Sequence, residues 1–262
     1  MIIAGASVQG TAHLADGQGC QDAFKAVDLG DTAVLAVSDG ASSRDRSALG
    51  AHIAVDTACR LLTEDIPDTE ETPEAWTRWI AGRGKRVVEE YLRAVAGVLG
   101  TGTGAGTGAG SEDPGALAAT IAAAVVRPPW VALISLGDGF GTLLTDDDHC
   151  HLVLPPPTTP PPFLSSPGAA QRIRTFVVWE PELSGLVLST DGCAALTLDH
   201  PSVRRLPPEA GPLPADRFFL GLAATLRENH GDAEPLRRRL SGPEAGRTGD
   251  DLTVLCALVE GR

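Results

Sequence analysis

The sequence predicts an α+β sandwich. Three features carry that expectation: short apolar runs that end abruptly in Asp-Gly, hairpin-length connections between many of them, and helices that come in pairs instead of alternating with every strand. A doubly wound parallel sheet would need a crossover helix after each strand, and the spacing leaves no room for one. With 262 residues, 43% of them hydrophobic, the chain has material for one large core, and a single domain over 1–262 is expected.

Residues 2–9 (IIAGASVQ) read as a first strand, followed by a turn-rich segment from Gly10 to Gly19. Cys20-Gln21-Asp22-Ala23-Phe24 then opens a second strand, with Asp22 at its start. VLAVSDGASS (34–43) is a buried strand that delivers Asp39 to a tight turn, where Gly40 permits close backbone approach. Ser42 to Ser47 offers N-cap chemistry for a helix whose buried face is expected at Leu49, Ile53, Thr57, Leu61 and Leu62. A second helix runs from about Pro73 to Leu99, with Trp76, Ile80, Val87, Tyr91 and Val95 along one face.

The run GTGTGAGTGAG lies within 100–113, a Gly-rich stretch expected to be a flexible loop because its backbone entropy cost has no side-chain burial to offset it. Residues 117–127, 130–137 and 140–145 read as successive antiparallel strands, joined at Pro128-Pro129 and at Gly137-Asp138-Gly139. The Pro-rich segment 155–162 is a surface connection. Thr175–Trp179 and Leu186–Ser189 are further strands, the latter ending at Asp191-Gly192 before a short helix to Leu198. Pro214–Asn229 is an amphipathic helix burying Phe218, Phe219, Leu222 and Leu226. The unbroken apolar run 252–259, entered through Asp250-Asp251, has the character of a central strand.

A net charge of -13 disfavours a nucleic-acid partner, since phosphate backbones are bound through surplus Lys and Arg. Five cysteines without a CxxC pair imply neither a zinc cluster nor a complete disulfide framework. The N-terminus lacks a basic apolar leader, and no apolar stretch reaches the length of a membrane span, so a reducing cytoplasmic setting is the expectation. What remains is a recurring pattern. Asp22, Asp39, Asp138, Asp191 and Asp250 each stand beside a strand end, and acids gathered in this way are how hard divalent cations are held.

In this order, CQDA, VSDGASS, AAT (118–120), SLGDGFG, STDG and GDDLT resemble the successive motifs of the metal-dependent serine/threonine protein phosphatases of type 2C, in their bacterial form. The resemblance covers essentially the whole chain, from Gly5 to Val259. It implies a four-layer αββα sandwich and hydrolysis of phosphoserine or phosphothreonine on proteins by a metal-activated water. It further implies two Mn²⁺ or Mg²⁺ ions. Asp39 would bridge them, Asp191 and Asp250 would complete one, the Gly40 carbonyl would serve the other, and Asp138 matches the position of a third, weaker site. Asp22 belongs to the first acidic motif. His13 is the candidate for proton transfer, and Arg44 or Arg46 for phosphate contact, because they lie in loops beside Asp22 or Asp39. The implied partner is a phosphorylated protein, the substrate of a bacterial Ser/Thr kinase, with no nucleic acid and no membrane involved. Gln21, Gly17 and Ala41 stand where many relatives carry Glu, Arg and His, which leaves a phosphoprotein-binding module without turnover as the alternative.

Overall fold

The computed structural model describes residues 1–100, 113–157, 159, 161–243 and 245–260. Strands β1 (Ile2–Val8), β2 (Ala23–Asp28) and β3 (Ala33–Ser38) are followed by the long helices α2 (Ser47–Leu62) and α3 (Pro73–Val98), with a short helix α1 (Thr11–Ala15) inserted after β1. Strands β4 (Ile121–Arg127), β5 (Trp130–Leu136), β6 (Phe140–Thr145) and β7 (Cys150–Leu154) come next, then the single turn α4 (Ala169–Arg172). Strands β8 (Arg174–Trp179) and β9 (Leu183–Ser189), the turn α5 (Ala194–Thr197) and the two-residue strands β10 (Leu198–Asp199) and β11 (Leu213–Pro214) follow. Helices α6 (Asp216–Glu228) and α7 (Glu234–Leu240) and strand β12 (Leu252–Leu258) close the chain.

The main strands form two five-stranded antiparallel sheets, ordered β1-β12-β9-β6-β7 and β2-β3-β4-β5-β8. The period of two along each central strand sorts its side chains into different layers. In β3, Val34 and Ala36 face the helices α2 and α3, while Ala33, Leu35 and Val37 face the other sheet. In β12, Val254, Cys256 and Leu258 face α6 and α7, while Leu255 and Ala257 meet Leu35 and Leu133 in the apolar layer between the sheets. Both faces of both central strands are therefore covered, which explains their unbroken apolar sequences. The result is the four-layer αββα sandwich.

Helix α3 starts at a Thr72 cap that accepts a hydrogen bond from the Ala75 backbone N–H, with Pro73 at its first position. Its predicted face is buried, and Trp76 stacks on Trp130 with ring centroids 5.5 Å apart. Helix α2 buries Thr57, Leu61 and Leu62 as expected, with Ile53 partly buried, and differs from expectation at Leu49. Leu49 is 44% exposed, and the buried stripe runs through Gly50, Ala51, Ala54, Val55 and Ala58. The reason is close approach: a Cβ on Gly50 would lie 2.1 Å from the Leu117 carbonyl oxygen, so small residues, not the leucine, face the sheet.

Four further features depart from the sequence reading. The segment Gly10–Gly19 contains the helix α1, and β7 and α7 were not anticipated. Strand β6 pairs with β9 and β7, not with β5, so Gly137-Asp138-Gly139 is a crossing between sheets and not a hairpin. The Gly-rich loop expected at 100–113 falls almost wholly outside the described residues. All five cysteines are free thiols, four of them buried. Among the described residues no helix is long and apolar enough to cross a membrane.

Candidate metal centre

The turns that end β3, β5 and β9 meet at one end of the sandwich. Each is held there by backbone contacts that leave no space for side chains. The Asp39 N–H donates to Thr120 Oγ1 at 3.0 Å, the Thr120 N–H donates to the Asp39 carbonyl at 2.8 Å, and Ser38 Oγ donates to the Thr120 carbonyl at 2.6 Å. Gly137, at φ +124°, packs against the same threonine: a Cβ there would lie 2.4 Å from Thr120 Cβ. Thr120 thus braces the Asp39 turn and the Asp138 turn together. A Cβ on Gly40 would lie 2.6 Å from the Ser47 backbone, which ties the Asp39 turn to the start of α2.

Thr190 does the same work for the other pair of turns. Its N–H donates to the Thr253 carbonyl at 3.1 Å, its hydroxyl oxygen accepts from the Thr253 N–H at 3.1 Å, and its hydroxyl donates to Asp22 Oδ2 at 2.8 Å. A Cβ on Gly192 would fall 2.1 Å from the Asp251 carbonyl oxygen, so the Asp191 and Asp250 turns touch backbone to backbone.

These turns bring Asp39, Asp138 and Asp191 together, with one carboxylate oxygen from each within 4.8 Å of the others. It is the one such cluster of metal-ligating side chains among the described residues. Asp250 does not complete that set. Its charge nevertheless acts on Asp39, Asp138 and Asp191, and its Oδ1 accepts the Asp251 N–H at 2.9 Å. Burial, followed by the charges of Asp22, Asp191, Asp250 and Asp138, holds the Asp39 carboxyl far above the usual carboxylate range. Asp191 is pushed up to about 6 by burial, then by Asp138 and Asp250, and Asp138 is raised by burial. Asp22 is raised by burial as well, although Thr190 donates to its carboxylate. The leading influences are burial and like charge, with no basic neighbour among them. In addition, Asp138 Oδ1 is buried without a hydrogen-bond partner. Half-buried acids of like charge, one of them with a buried oxygen that has no partner among the described residues, suit a hard divalent cation in both charge and donor type.

The remaining candidates lie around this set. Asp22 is 6% exposed and faces Thr190 from the second strand. His13, on α1, is buried with Nδ1 3.0 Å from Asp251 Oδ2, an ion-pair distance without hydrogen-bond alignment. Arg44 is half exposed, 4.0 Å from Asp113, and lines a cavity of about 260 Å³ shared with Gln18, Gln21, Ser42, Asp45 and Ser47. Gln21 is not free to swing inward: its Nε2 donates to Gln18 Oε1 at 3.1 Å and its Oε1 accepts from Ser47 Oγ at 3.1 Å. That pairing requires both a donor and an acceptor, which an amide supplies and a carboxylate does not.

The residue whose role was least legible is Asp251. It is 2% exposed, and its two oxygens accept the backbone N–H groups of Gly10 and Gln21, each at 2.6 Å. It fastens the N-terminal segment to the final acidic turn. The doubled acid Asp250-Asp251 was the available signal, since one of two adjacent acids at a strand entry must point away from the other.

A family model for protein phosphatase 2C matches residues 9–241. The chain belongs to the protein phosphatase 2C family. Solved structures of similar fold include serine/threonine phosphatase Stp1 from Staphylococcus aureus, with 13% identity, TM-score 0.61 and coverage of 100% of this chain and 96% of that one. The catalytic domain of serine threonine protein phosphatase PstP, solved with two manganese ions, has 15% identity, TM-score 0.59 and 98% coverage of both chains. The serine/threonine phosphatase of S. agalactiae has 13% identity, TM-score 0.54 and coverage of 98% and 99%. At these identities the likeness is one of fold. No curated protein matches the chain in sequence.

Proposed function

We propose that the protein is a metal-dependent phosphatase that hydrolyses phosphoserine and phosphothreonine on proteins. The observation that carries this reading is the cluster of Asp39, Asp138 and Asp191, half-buried, of like charge, and including the buried, unpartnered Asp138 Oδ1. These three carboxylates would hold divalent ions, with Asp250 and the Gly40 carbonyl at the margin, and all-oxygen donors favour Mn²⁺ or Mg²⁺ over zinc. Bound there, a pair of such ions supplies Lewis-acid activation of water and neutralises charge on a phosphoryl group.

The protein's own groups have distinct tasks. Thr120 fixes the backbone of the Asp39 turn and Thr190 the Asp22 carboxylate before any ion arrives, which lowers the reorganisation needed on binding. Asp22, held by Thr190, adds negative charge behind Asp39. His13, with Asp251 beside its Nδ1, is assigned to proton transfer at the leaving group, and Arg44 to the phosphate on the side facing α2. The chain is taken as one phosphatase domain over 1–262, supported by the continuous apolar layer between the sheets. A cytoplasmic phosphoprotein made by a bacterial Ser/Thr kinase is the proposed substrate.

The test is Mn²⁺-dependent phosphate release from p-nitrophenyl phosphate and from a phosphothreonine peptide, beside an Asp39→Asn control. Turnover well above the control, with the peptide preferred, is expected. Turnover no greater than the control would favour a phosphoprotein-binding module instead.

A further inference from the structure

A cavity of about 500 Å³ is walled by Ala195, Leu196, Arg247 and Thr248. Its walls are continuations of the turns that present Asp191 and Asp250. Ala195 follows Asp191 on α5, and Thr248 precedes Asp250. A Cβ on Gly192 would meet the Asp251 carbonyl oxygen and Asp250 Cβ, so the two stretches that wall this cavity leave from turns packed against each other.

Arg247 is displayed there on a pinned turn. The Thr248 N–H and hydroxyl both donate to the Ala245 carbonyl, at 3.2 and 3.1 Å, Ala245 is buried, and Thr11 Oγ1 donates to the Gly246 carbonyl at 3.1 Å. The Arg247 side chain itself is exposed and makes no hydrogen bond or ion pair among the described residues. Arg44, in the cavity it shares with Gln18 and Gln21, has Asp113 at 4.0 Å and Asp45 in the same lining, so its charge is partly compensated. Arg204, in the segment after α5, is spent on Asp216 at 2.8 Å. In a chain with net charge -13, an uncompensated guanidinium beside an acidic turn is a local attractor for an anionic substrate that the rest of the surface repels.

We propose that Arg247 and this cavity form a specificity subsite for an anionic group flanking the phosphorylated residue, resting on the phosphatase reading above. The guanidinium fork matches the two oxygens of a carboxylate or of a second phosphoryl group, and Ala195 and Leu196 offer an apolar wall for the stem of an acidic side chain. The substrate class is therefore an acidic phosphopeptide segment.

The experiment uses the full chain with Mn²⁺ and compares wild type, Arg247→Ala, Arg247→Lys and Arg44→Ala. The substrates are phosphothreonine peptides flanked by alanine, by glutamate scanned through the neighbouring positions, or by a second phosphoserine. Wild type is expected to prefer an acidic peptide through KM, and Arg247→Ala to lower the acidic-to-neutral ratio of kcat/KM about tenfold, the low end for a charge-assisted pair because the site is exposed. Partial rescue by lysine and narrowing of the preference with added salt are expected as well. The glutamate and phosphoserine arms decide which anion is read. A wild-type preference that is absent, that survives Arg247→Ala, or that follows Arg44 overturns the proposal. Should no peptide be hydrolysed, the phosphatase reading fails separately, and fluorescence anisotropy with the same peptides still reads the subsite: acidic-peptide binding weakened by Arg247→Ala supports it, and binding unaffected by that variant overturns it.

Discussion

Replacing Asp191 with asparagine should stabilise the metal-free protein at neutral pH. Burial and the neighbouring carboxylates raise Asp191 from 3.8 to about 6 in the folded state. The folded protein therefore keeps this proton up to about pH 6, whereas the unfolded chain releases it near 3.8. Between those values the native state binds more protons, so stability falls as pH rises and levels off above about 6. At about 1.4 kcal/mol per pH unit, the loss is on the order of 3 kcal/mol. The asparagine side chain mimics the protonated acid and escapes that loss. Urea unfolding in EDTA should thus give equal stabilities near pH 3 and a variant more stable by about 2–3 kcal/mol at about pH 7.5. Addition of Mn²⁺ should reverse the order, since ligand binding stabilises only the protein that retains its ligands. An Asp191→Asn variant less stable than wild type in EDTA at neutral pH, or a difference that does not change with pH, would refute the account of the acid cluster.

Gly192→Ala would put a Cβ 2.1 Å from the Asp251 carbonyl oxygen and so should push the Asp191 turn away, costing several kcal/mol of stability and weakening Mn²⁺ affinity in calorimetry. Asp251→Ala leaves the buried Gly10 and Gln21 N–H groups without acceptors, so a loss of about 3 kcal/mol in chemical denaturation is expected, with α1 becoming the first segment to exchange its amide hydrogens. His13→Ala should lower kcat and remove one limb of its pH profile; an unchanged profile would leave the contact with Asp251 as the sole role of His13. Trp76→Ala, which empties the position stacked on Trp130, should cost about 3–5 kcal/mol in denaturation while leaving Mn²⁺ affinity intact, because α3 lies on the far side of its sheet from the acids.

The acid cluster was legible because its parts are local. A strand run ending in Asp-Gly is a statement about a few neighbouring residues, and Asp39, Asp138 and Asp191 each satisfy it. The helix face of α3 was legible for a similar reason: large side chains at helical spacing have one place to go. Helix α2 misled at Leu49 because the first turns of its buried side are made of Gly and Ala. Periodicity weights the bulky leucine, while the fold uses the absence of side-chain volume at Gly50 to bring α2 against Leu117.

The sequence by itself determined which residues bear charge at strand ends, the approximate elements, and a net charge of -13. Tertiary structure alone decided that Gly137-Asp138-Gly139 crosses between sheets, so that Asp138 joins Asp39 and Asp191, with Asp250 outside that group of three but near enough for its charge to act on each of them. It also decided that Asp251 fastens two chain segments and that Gln21 is held by Gln18 and Ser47. The physical reason is separation along the chain. Pairing of β6 with β9 and the meeting of Asp251 with Gly10 depend on how two complete sheets stack, a property no short window of residues contains.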